Sequence, residues 1–207
     1  MEQNEVLKAL RRDHAAELKL AAERLKGTAR HTEIIPSPVL SEMTGHEILL
    51  KPENLQVTGS FKIRGAYNKI ASLTDEQLSH GIVTASAGNH AQGVALAATR
   101  RGIKSIVCMP DGAPIMKVEN TKNLGAEVCL VPGTYDDAHD KAVELQEETG
   151  MTFIHPYDDE QVIAGQGTIG LEILDQLPDL DAVIVPVGGG GLISGVAFAI
   201  KSLRPEV

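Results

Sequence analysis

The sequence has no tryptophan, few other aromatic residues, only two cysteines and no excess of basic residues. Two cysteines cannot build the framework of disulfides that holds small secreted domains together. Lysine and arginine total 19 against 28 acidic residues, and the net charge of -9 argues against a nucleic-acid surface. No apolar run reaches the ~18 residues that a membrane span needs. We therefore expect neither nucleic acid nor a membrane as a partner.

The length and the cysteines indicate a folded protein of a reducing compartment. A chain of 207 residues is long enough for one large domain or two lobes with a real core. Cys108 and Cys129 each lie in an apolar, strand-like run and are predicted to be buried free thiols. Residues 1–8 lack the apolar core of a secretory signal, which predicts a cytoplasmic protein. No cysteine and histidine spacing is typical of a metal site, so we expect no metal.

Strands and helices alternate along most of the chain. The predicted strands are residues 47–51, 82–85, 105–109, 127–131, 152–154 and 182–187. The predicted helices are residues 4–26, one that begins near Ser60, and 89–101, 114–124, 135–149, 159–177 and 192–203. This order is typical of an α/β fold, in which a parallel sheet is covered by helices on both faces.

The last predicted strand raises a question about the end of the chain. Residues 182–187 are apolar, and only one further helix follows them before Val207. A core strand at that place needs a neighbour that the remaining residues do not supply. We therefore expect a chain that is truncated at its C-terminus.

Lys62 is the first candidate for chemistry. Ser60 is a suitable helix cap, which would place Lys62 in the first turn of a helix. The helix macrodipole and the charge of Arg64 would both favour the neutral amine and so lower the pKa of Lys62. A neutral amine is what Schiff-base chemistry needs. The alternative is an ordinary solvated surface lysine.

Residues 188–191 are four consecutive glycines between the predicted strand at 182–187 and a helix. Without side chains, their backbone N–H groups can approach an anion closely, and the helix dipole adds to the attraction. A phosphate group is the obvious ligand. The alternative is a merely flexible turn.

Residues 86–90, with the sequence SAGNH, form a second turn between a strand and a helix. Its amides suit a carboxylate, and Asn89 offers a neutral donor to a ring oxygen. The alternative is that Ser86 or Asn89 simply caps the helix. We expect His90 to shape the turn rather than to act as a base. Both glycine-bearing turns follow the carboxyl ends of strands, where parallel α/β sheets bind ligands.

Residues 165–170 match the dinucleotide-binding pattern G-x-G-x-x-G. That pattern must open a helix directly after a strand, whereas here it lies about ten residues past the strand, inside a predicted helix. The glycines therefore predict close packing between helices, and NAD binding is rejected.

Three motifs together resemble a known family. Lys62 in SFKIRGA, the SAGNHAQG turn and the GGGGL turn occur in the order found in the serine/threonine dehydratase family of fold-type-II pyridoxal-phosphate enzymes. KPENLQVTGSFK and YDDEQVIAGQGTIGLEI extend the resemblance over most of the chain. The resemblance implies a small lobe of residues 55–155 and a large, incomplete lobe of residues 1–54 and 156–207. It also implies a homo-oligomer, a dimer or a tetramer.

The resemblance assigns roles residue by residue. Lys62 would bind pyridoxal 5′-phosphate as a Schiff base, with Phe61 beside the cofactor ring and Asn89 on its ring hydroxyl. The phosphate would be held by Gly188, Gly189, Gly190, Gly191 and Leu192. The substrate carboxylate would be received by Ser86, Ala87, Gly88, Asn89 and His90.

The implied reaction is elimination of water from L-threonine, with L-serine as a second candidate substrate, giving 2-oxobutanoate or pyruvate and ammonia. An alternative is serine racemase-type activity. Serine racemases of this family carry a second serine, an acid/base group, where this chain has Ala87. The alanine therefore favours elimination. A further alternative is a catalytically inactive fragment that acts at most as a phosphate-binding α/β module.

Overall fold

The computed structural model describes residues 15–207, and most of its elements match the predicted alternation. The strands are β1 (Ile35–Pro36), β2 (Leu49–Leu50), β3 (Ile82–Ala85), β4 (Ser105–Pro110), β5 (Glu127–Val131) and β6 (Thr152–Phe153). The helices are α1 (residues 15–25), α2 (Pro38–Thr44), α3 (Lys62–Ser72), α4 (Asp75–Ser79), α5 (Asn89–Arg100), α6 (Ile115–Asn123), α7 (Tyr135–Thr149), α8 (Glu160–Gln176) and α9 (Gly191–Leu203). The first part of the helix predicted over residues 4–26 lies outside the described residues. The short helices α2 and α4 were not predicted.

The main sheet has four parallel strands in the order β5-β4-β3-β6. Alternate residues of its strands face opposite sides. Val83 and Cys108 pack against alanines of α7, whereas Val107 and Met109 pack against alanines of α5. Helices therefore cover both faces, and the predicted α/β fold is confirmed. A separate two-stranded antiparallel sheet joins β1 and β2.

Glycines bring helices α3, α8 and α9 into backbone contact. A Cβ on Gly165 would lie 2.6 Å from the Arg64 carbonyl oxygen of α3. A Cβ on Gly167 would lie 2.9 Å from the Gly195 carbonyl oxygen of α9. Side chains at these positions would force the helices apart. The predicted close packing is confirmed, and the G-x-G-x-x-G pattern lies inside α8.

The strand predicted over residues 182–187 is wrong. The segment between α8 and α9 is irregular, and the Ile184 side chain is 94% exposed. A strand exists only where a neighbour accepts its backbone hydrogen bonds. Within residues 15–207, the four strands of the parallel sheet lie elsewhere in the fold, so this apolar segment has no partner strand.

The two cysteines lie side by side on neighbouring strands. Cys108 of β4 is directly opposite Cys129 of β5, and both are free thiols, as predicted. Cys108 is buried, but Cys129 is only half-buried. Burial raises the pKa of the Cys108 thiol to about 12, so this thiol is protonated at neutral pH.

Helix α3 lies between two parts of the core. Ile63 and Ile70 pack with Ile82 of the parallel sheet. Phe61, just before α3, packs with the cluster that α8 and α9 form around Ile169. The division into lobes of residues 55–155 and the flanking segments stays a prediction.

Residues 15–207 lack two kinds of feature. None of the helices there combines the length and the apolar character required to cross a bilayer. The same residues hold no cluster of three or more histidine, cysteine, aspartate or glutamate side chains suited to a metal ion.

Candidate active site

Residues 154–157, just after β6, contact the first turns of two helices. At the start of α3, Lys62 Nζ donates a hydrogen bond to the Pro156 carbonyl oxygen at 2.7 Å. At the start of α5, His90 Nε2 lies 3.1 Å from the Ile154 carbonyl oxygen. A Cβ on Gly93 of α5 would also lie 3.1 Å from the Lys62 carbonyl. The lysine and the 86–90 turn are therefore neighbours.

The four-glycine turn lies against the same segment. A Cβ on Gly189 would lie 2.5 Å from the ring of Tyr157, and a Cβ on Gly191 would lie 2.7 Å from the Tyr157 carbonyl oxygen. Tyr157 is bonded to Pro156, which holds the Lys62 amine. The structure thus brings the three predicted motifs together around residues 154–157.

Burial lowers the pKa of the Lys62 amine below its ordinary value. The predicted direction is therefore right, but the predicted influence of Arg64 is wrong. The Arg64 guanidinium is only 1% exposed and is paired with Glu53 at 2.8 Å and with Glu172 at 2.6 Å. Two carboxylates neutralise its charge, so it does not disfavour a charged lysine. The Lys62 amine lies 5.5 Å from the centre of the Phe61 ring.

The ion cluster around Arg64 holds the start of α3 to α8. Glu172 of α8 also pairs with Lys51 at 2.6 Å, and the Arg64 guanidinium donates to the Arg30 carbonyl oxygen at 3.1 Å. Burial alone would raise the pKa of Glu172, but the hydrogen bonds from Arg64 and Lys51 hold it below its ordinary value. Sequence reasoning missed this cluster because its members are up to 142 residues apart along the chain.

The 86–90 turn leaves the start of α5 without a side-chain cap. Gly88 is the N-cap residue, and no side chain accepts a hydrogen bond from the first turn. Ser86 Oγ instead accepts from the Gly88 amide at 3.2 Å within the turn. The reading of Ser86 or Asn89 as a simple cap is therefore wrong. Amides at the beginning of α5 have no intrahelical acceptor and suit an anion. Ala87 is half-buried in this turn.

His90 is buried and neutral. Burial is the main cause that lowers the pKa of His90 to about 3. A carbonyl oxygen only accepts, so Nε2 carries the proton that is donated to Ile154. Nδ1 is buried without a hydrogen-bond partner in the described structure. This geometry agrees with a shaping role in the turn.

Lys117 of α6 is a neighbour of Asn89 that sequence reasoning missed. Its Nζ donates a hydrogen bond to Asn89 Oδ1 at 2.7 Å. Asn89 is exposed at the first position of α5. No spacing rule connects two residues that are 28 positions apart on different helices, so no local signal could have identified Lys117.

The four glycines differ in their environments. Gly190 has φ = +91° and is the N-cap of α9, which has no side-chain cap. Gly188 and Gly189 are exposed, whereas Gly191 is buried. The half-buried Leu192 side chain packs with the α8–α9 cluster that also receives Phe61. The first two glycines of the turn are thus exposed, while its C-terminal end is anchored in the core.

The model of the pyridoxal-phosphate dependent enzyme family matches residues 25–207. The chain belongs to this family. It is 59% identical over 191 residues to an L-threonine ammonia-lyase of Thermotoga maritima, covering 92% of this chain and 48% of that protein. It is 52% identical to an L-threonine ammonia-lyase of Geobacter sulfurreducens, covering 90% of this chain and 46% of that protein. The chain therefore spans about half the length of these relatives.

Solved structures of the family have the same fold. Maize serine racemase superimposes with a TM-score of 0.90 at 43% identity, over 93% of this chain and 58% of that one. Threonine deaminase isoform 2 from Solanum lycopersicum also gives a TM-score of 0.90 at 42% identity, over 94% of this chain and 54% of that one. The predicted fold-type-II architecture is thereby confirmed.

The residues around 154–157 fit the family's cofactor. A half-buried amine with a lowered pKa suits covalent attachment of an aldehyde. The turn at 188–191 exposes backbone amides at an uncapped helix start, which suits a phosphate. Gly189 and Gly191 lack the Cβ atoms that would collide with the Tyr157 segment.

Proposed function

We propose that the full-length protein uses pyridoxal phosphate to deaminate L-threonine to 2-oxobutanoate and ammonia, and L-serine to pyruvate and ammonia. The observation that carries the proposal is the half-buried Lys62 amine, which donates a hydrogen bond at 2.7 Å to the Pro156 carbonyl oxygen, in the segment that contacts both glycine-bearing turns. The names of the Thermotoga and Geobacter relatives supply the reaction class.

Each motif receives one role in this proposal. Lys62 would hold the cofactor, and its free amine would accept the α-proton of the substrate, because burial favours the neutral form of that amine. When bound, the cofactor would supply an electron sink for the charge that develops on the α-carbon. Phe61 lies beside Lys62, and Asn89 donates to the ring hydroxyl. The phosphate is held by the amides of Gly188, Gly189, Gly190, Gly191 and Leu192.

The substrate carboxylate is proposed to bind at the start of α5. The Ser86 hydroxyl accepts from Gly88 and keeps its own proton free to donate. The amides of Asn89 and His90 add donors, since the first turn of a helix has no internal acceptors for them. His90, fixed to Ile154, keeps this turn in shape.

Lys62→Ala tests the central assignment. We expect it to abolish 2-oxobutanoate formation from L-threonine and to prevent borohydride from fixing the cofactor to the protein. In the unchanged protein, mass spectrometry should find the reduced cofactor on the peptide that contains Lys62. Lys104→Ala is the control, because Lys104 is an exposed lysine paired with Glu127. Reduced cofactor on any other lysine would show that the assignment is wrong.

Two alternatives are separated by product analysis. Maize serine racemase is structurally similar, so racemisation is a second candidate. The Ala87 methyl group cannot donate a proton to the opposite face of the substrate, which favours elimination. We expect pyruvate from L-serine and little D-serine. D-serine formed as fast as pyruvate would favour the racemase, and cofactor binding without turnover would favour a phosphate-binding module.

We also propose a two-lobed, homo-oligomeric protein of the cytoplasm. The parallel sheet and α5–α7 all lie within the proposed small lobe of residues 55–155. The free thiols of Cys108 and Cys129 are consistent with a reducing compartment. Light scattering of the full-length protein tests for a dimer or a tetramer.

A further inference from the structure

Tyr157 occupies the space beside two of the four glycines. Its ring atoms Cγ and Cδ1 lie 2.5 Å from the position of a Cβ on Gly189. Its carbonyl oxygen and Cα lie 2.7 and 3.0 Å from the position of a Cβ on Gly191. Real Cβ atoms do not approach other atoms so closely, so both positions exclude any side chain while Tyr157 stays in place.

The glycines of the turn are therefore required for different reasons. Gly190 adopts φ = +91°, a conformation that side chains disfavour whatever the space. No such angle applies to Gly189 or Gly191. A Cβ on Gly190 would meet nothing within 4 Å. The requirement at Gly190 comes from the backbone angle, and that at Gly189 comes from a neighbouring ring.

Tyr157 is held by a ring contact and by hydrogen bonds to the backbone around it. Its ring makes an edge contact with the His155 ring, with 4.8 Å between the ring centres. His155 Nδ1 accepts hydrogen bonds from the amides of Tyr157 at 3.3 Å and Asp158 at 2.7 Å. The carbonyl of the preceding Pro156 is bound to Lys62. The ring thus lies against the turn, in a segment whose backbone is held by hydrogen bonds.

We propose that Tyr157 is a positioning residue that shapes the 188–191 turn for the phosphate and links the position of the turn to that of Lys62. The inference rests on the proposed function of the turn. Two contacts link the turn to the lysine: the Tyr157 ring contacts Gly189, and the carbonyl oxygen of Pro156 accepts a hydrogen bond from the Lys62 amine. Tyr157 contacts the turn, and Pro156 contacts the lysine, but neither contact involves the substrate. Tyr157 therefore acts through its neighbours.

Compensating substitutions test the proposal in the full-length protein. The affinity for pyridoxal phosphate is measured by absorbance titration, with inorganic phosphate as a competing probe. Gly189→Ala and Gly190→Ala should each weaken the affinity about tenfold or more, the cost of one charge-assisted hydrogen bond. Tyr157→Ala should raise the affinity of the Gly189→Ala protein to about that of Tyr157→Ala alone, because it removes the collision. It should restore nothing in the Gly190→Ala protein.

Two further variants complete the design. Tyr157→Phe keeps the ring and should bind the cofactor as the unchanged protein does. Tyr157→Ala alone should weaken binding, because the turn loses its support, while thermal unfolding followed by circular dichroism verifies that the variant folds. If the double variant binds no better than Gly189→Ala, the role of Tyr157 is wrong although the phosphate turn stands. If neither glycine substitution changes binding, the phosphate site itself is wrong, and the role of Tyr157 with it.

Discussion

The orientation of the Asn89 side chain is set by the chemistry of its neighbour. An ammonium group has donors only, so the atom of Asn89 that faces Lys117 Nζ must be the carbonyl oxygen. The NH₂ group of Asn89 then points elsewhere and is free to donate to a ligand. Lys117 thereby selects the donor role that the proposed contact with the cofactor ring hydroxyl requires.

Lys117→Met removes that constraint. We expect the affinity for pyridoxal phosphate to fall about two- to tenfold, the value of one hydrogen bond, because Asn89 can then rotate. The absorption band of the bound cofactor should shift as well, since a hydrogen bond to the ring hydroxyl influences it. Titration followed in the visible range measures both quantities.

The control for this prediction lies on the same helix. Lys122 of α6 pairs with Glu119 rather than with a residue of the site, so Lys122→Met should change neither affinity nor spectrum. Lys117→Arg keeps a donor and should restore most of the binding. An unchanged spectrum in Lys117→Met would mean that Lys117 does not orient Asn89.

Single residues were predicted from the sequence to different extents. Lys62 could be proposed from the sequence because its motif, its position at a helix start and its chemistry are all local properties. The supposed influence of Arg64 was wrong because its partner Glu172 lies 108 residues further along the chain, where local reasoning does not reach. Tyr157 was missed for the same reason, since it meets the glycine turn only in the folded state.

Among the elements, α8 depends on glycine at its crossings with α3 and α9. Gly165→Ala should lower the free energy of unfolding by about 1–3 kcal/mol, the usual cost of overpacking, because its Cβ would meet α3 backbone atoms that cannot move aside easily. Urea unfolding measures the change. Gly112→Ala is the control, because a Cβ there would meet nothing within 4 Å and its φ is not left-handed. Equal stability of the two variants would contradict the close crossing.

Helices and buried strands of the main sheet were predictable, but the segment 182–187 was not. Helix α7 begins and ends where the sequence predicted, and its hydrogen bonds are internal. Strand formation is different, because a strand depends on a partner that its own residues do not specify. Apolar character alone therefore predicted a strand where the described residues offer no neighbour.

For the molecule as a whole, His90 predicts a loss of stability in acid. The pKa of His90 is about 3 in the folded protein, below the ordinary value of 6.5, chiefly because of burial. Between these values the unfolded chain binds a proton that the folded chain does not. Stability is thus fully retained above pH ~6.5 and falls as the pH decreases towards ~3, by up to about 1.4 kcal/mol per pH unit.

His90→Gln should flatten this dependence. Glutamine can still donate to the Ile154 carbonyl but does not ionise in this range. Urea unfolding at several pH values between 4 and 7 measures the slope. His46→Gln, at an exposed histidine, should leave the slope as it is. A slope that is equally steep in His90→Gln would assign the acid sensitivity to other groups.

The glycine crossings of α8 have a mechanical consequence. Lys62 begins α3, the four-glycine turn leads into α9, and α8 touches both helices through main-chain atoms. Contacts between side chains can shift when rotamers change, whereas contacts between main-chain atoms deform little under load. The three helices therefore form a stiff frame, and the span between the lysine and the turn is as fixed as the frame itself. A ligand attached at both points would be held at a constant length, and any opening of the site would have to come from movement of parts outside that frame.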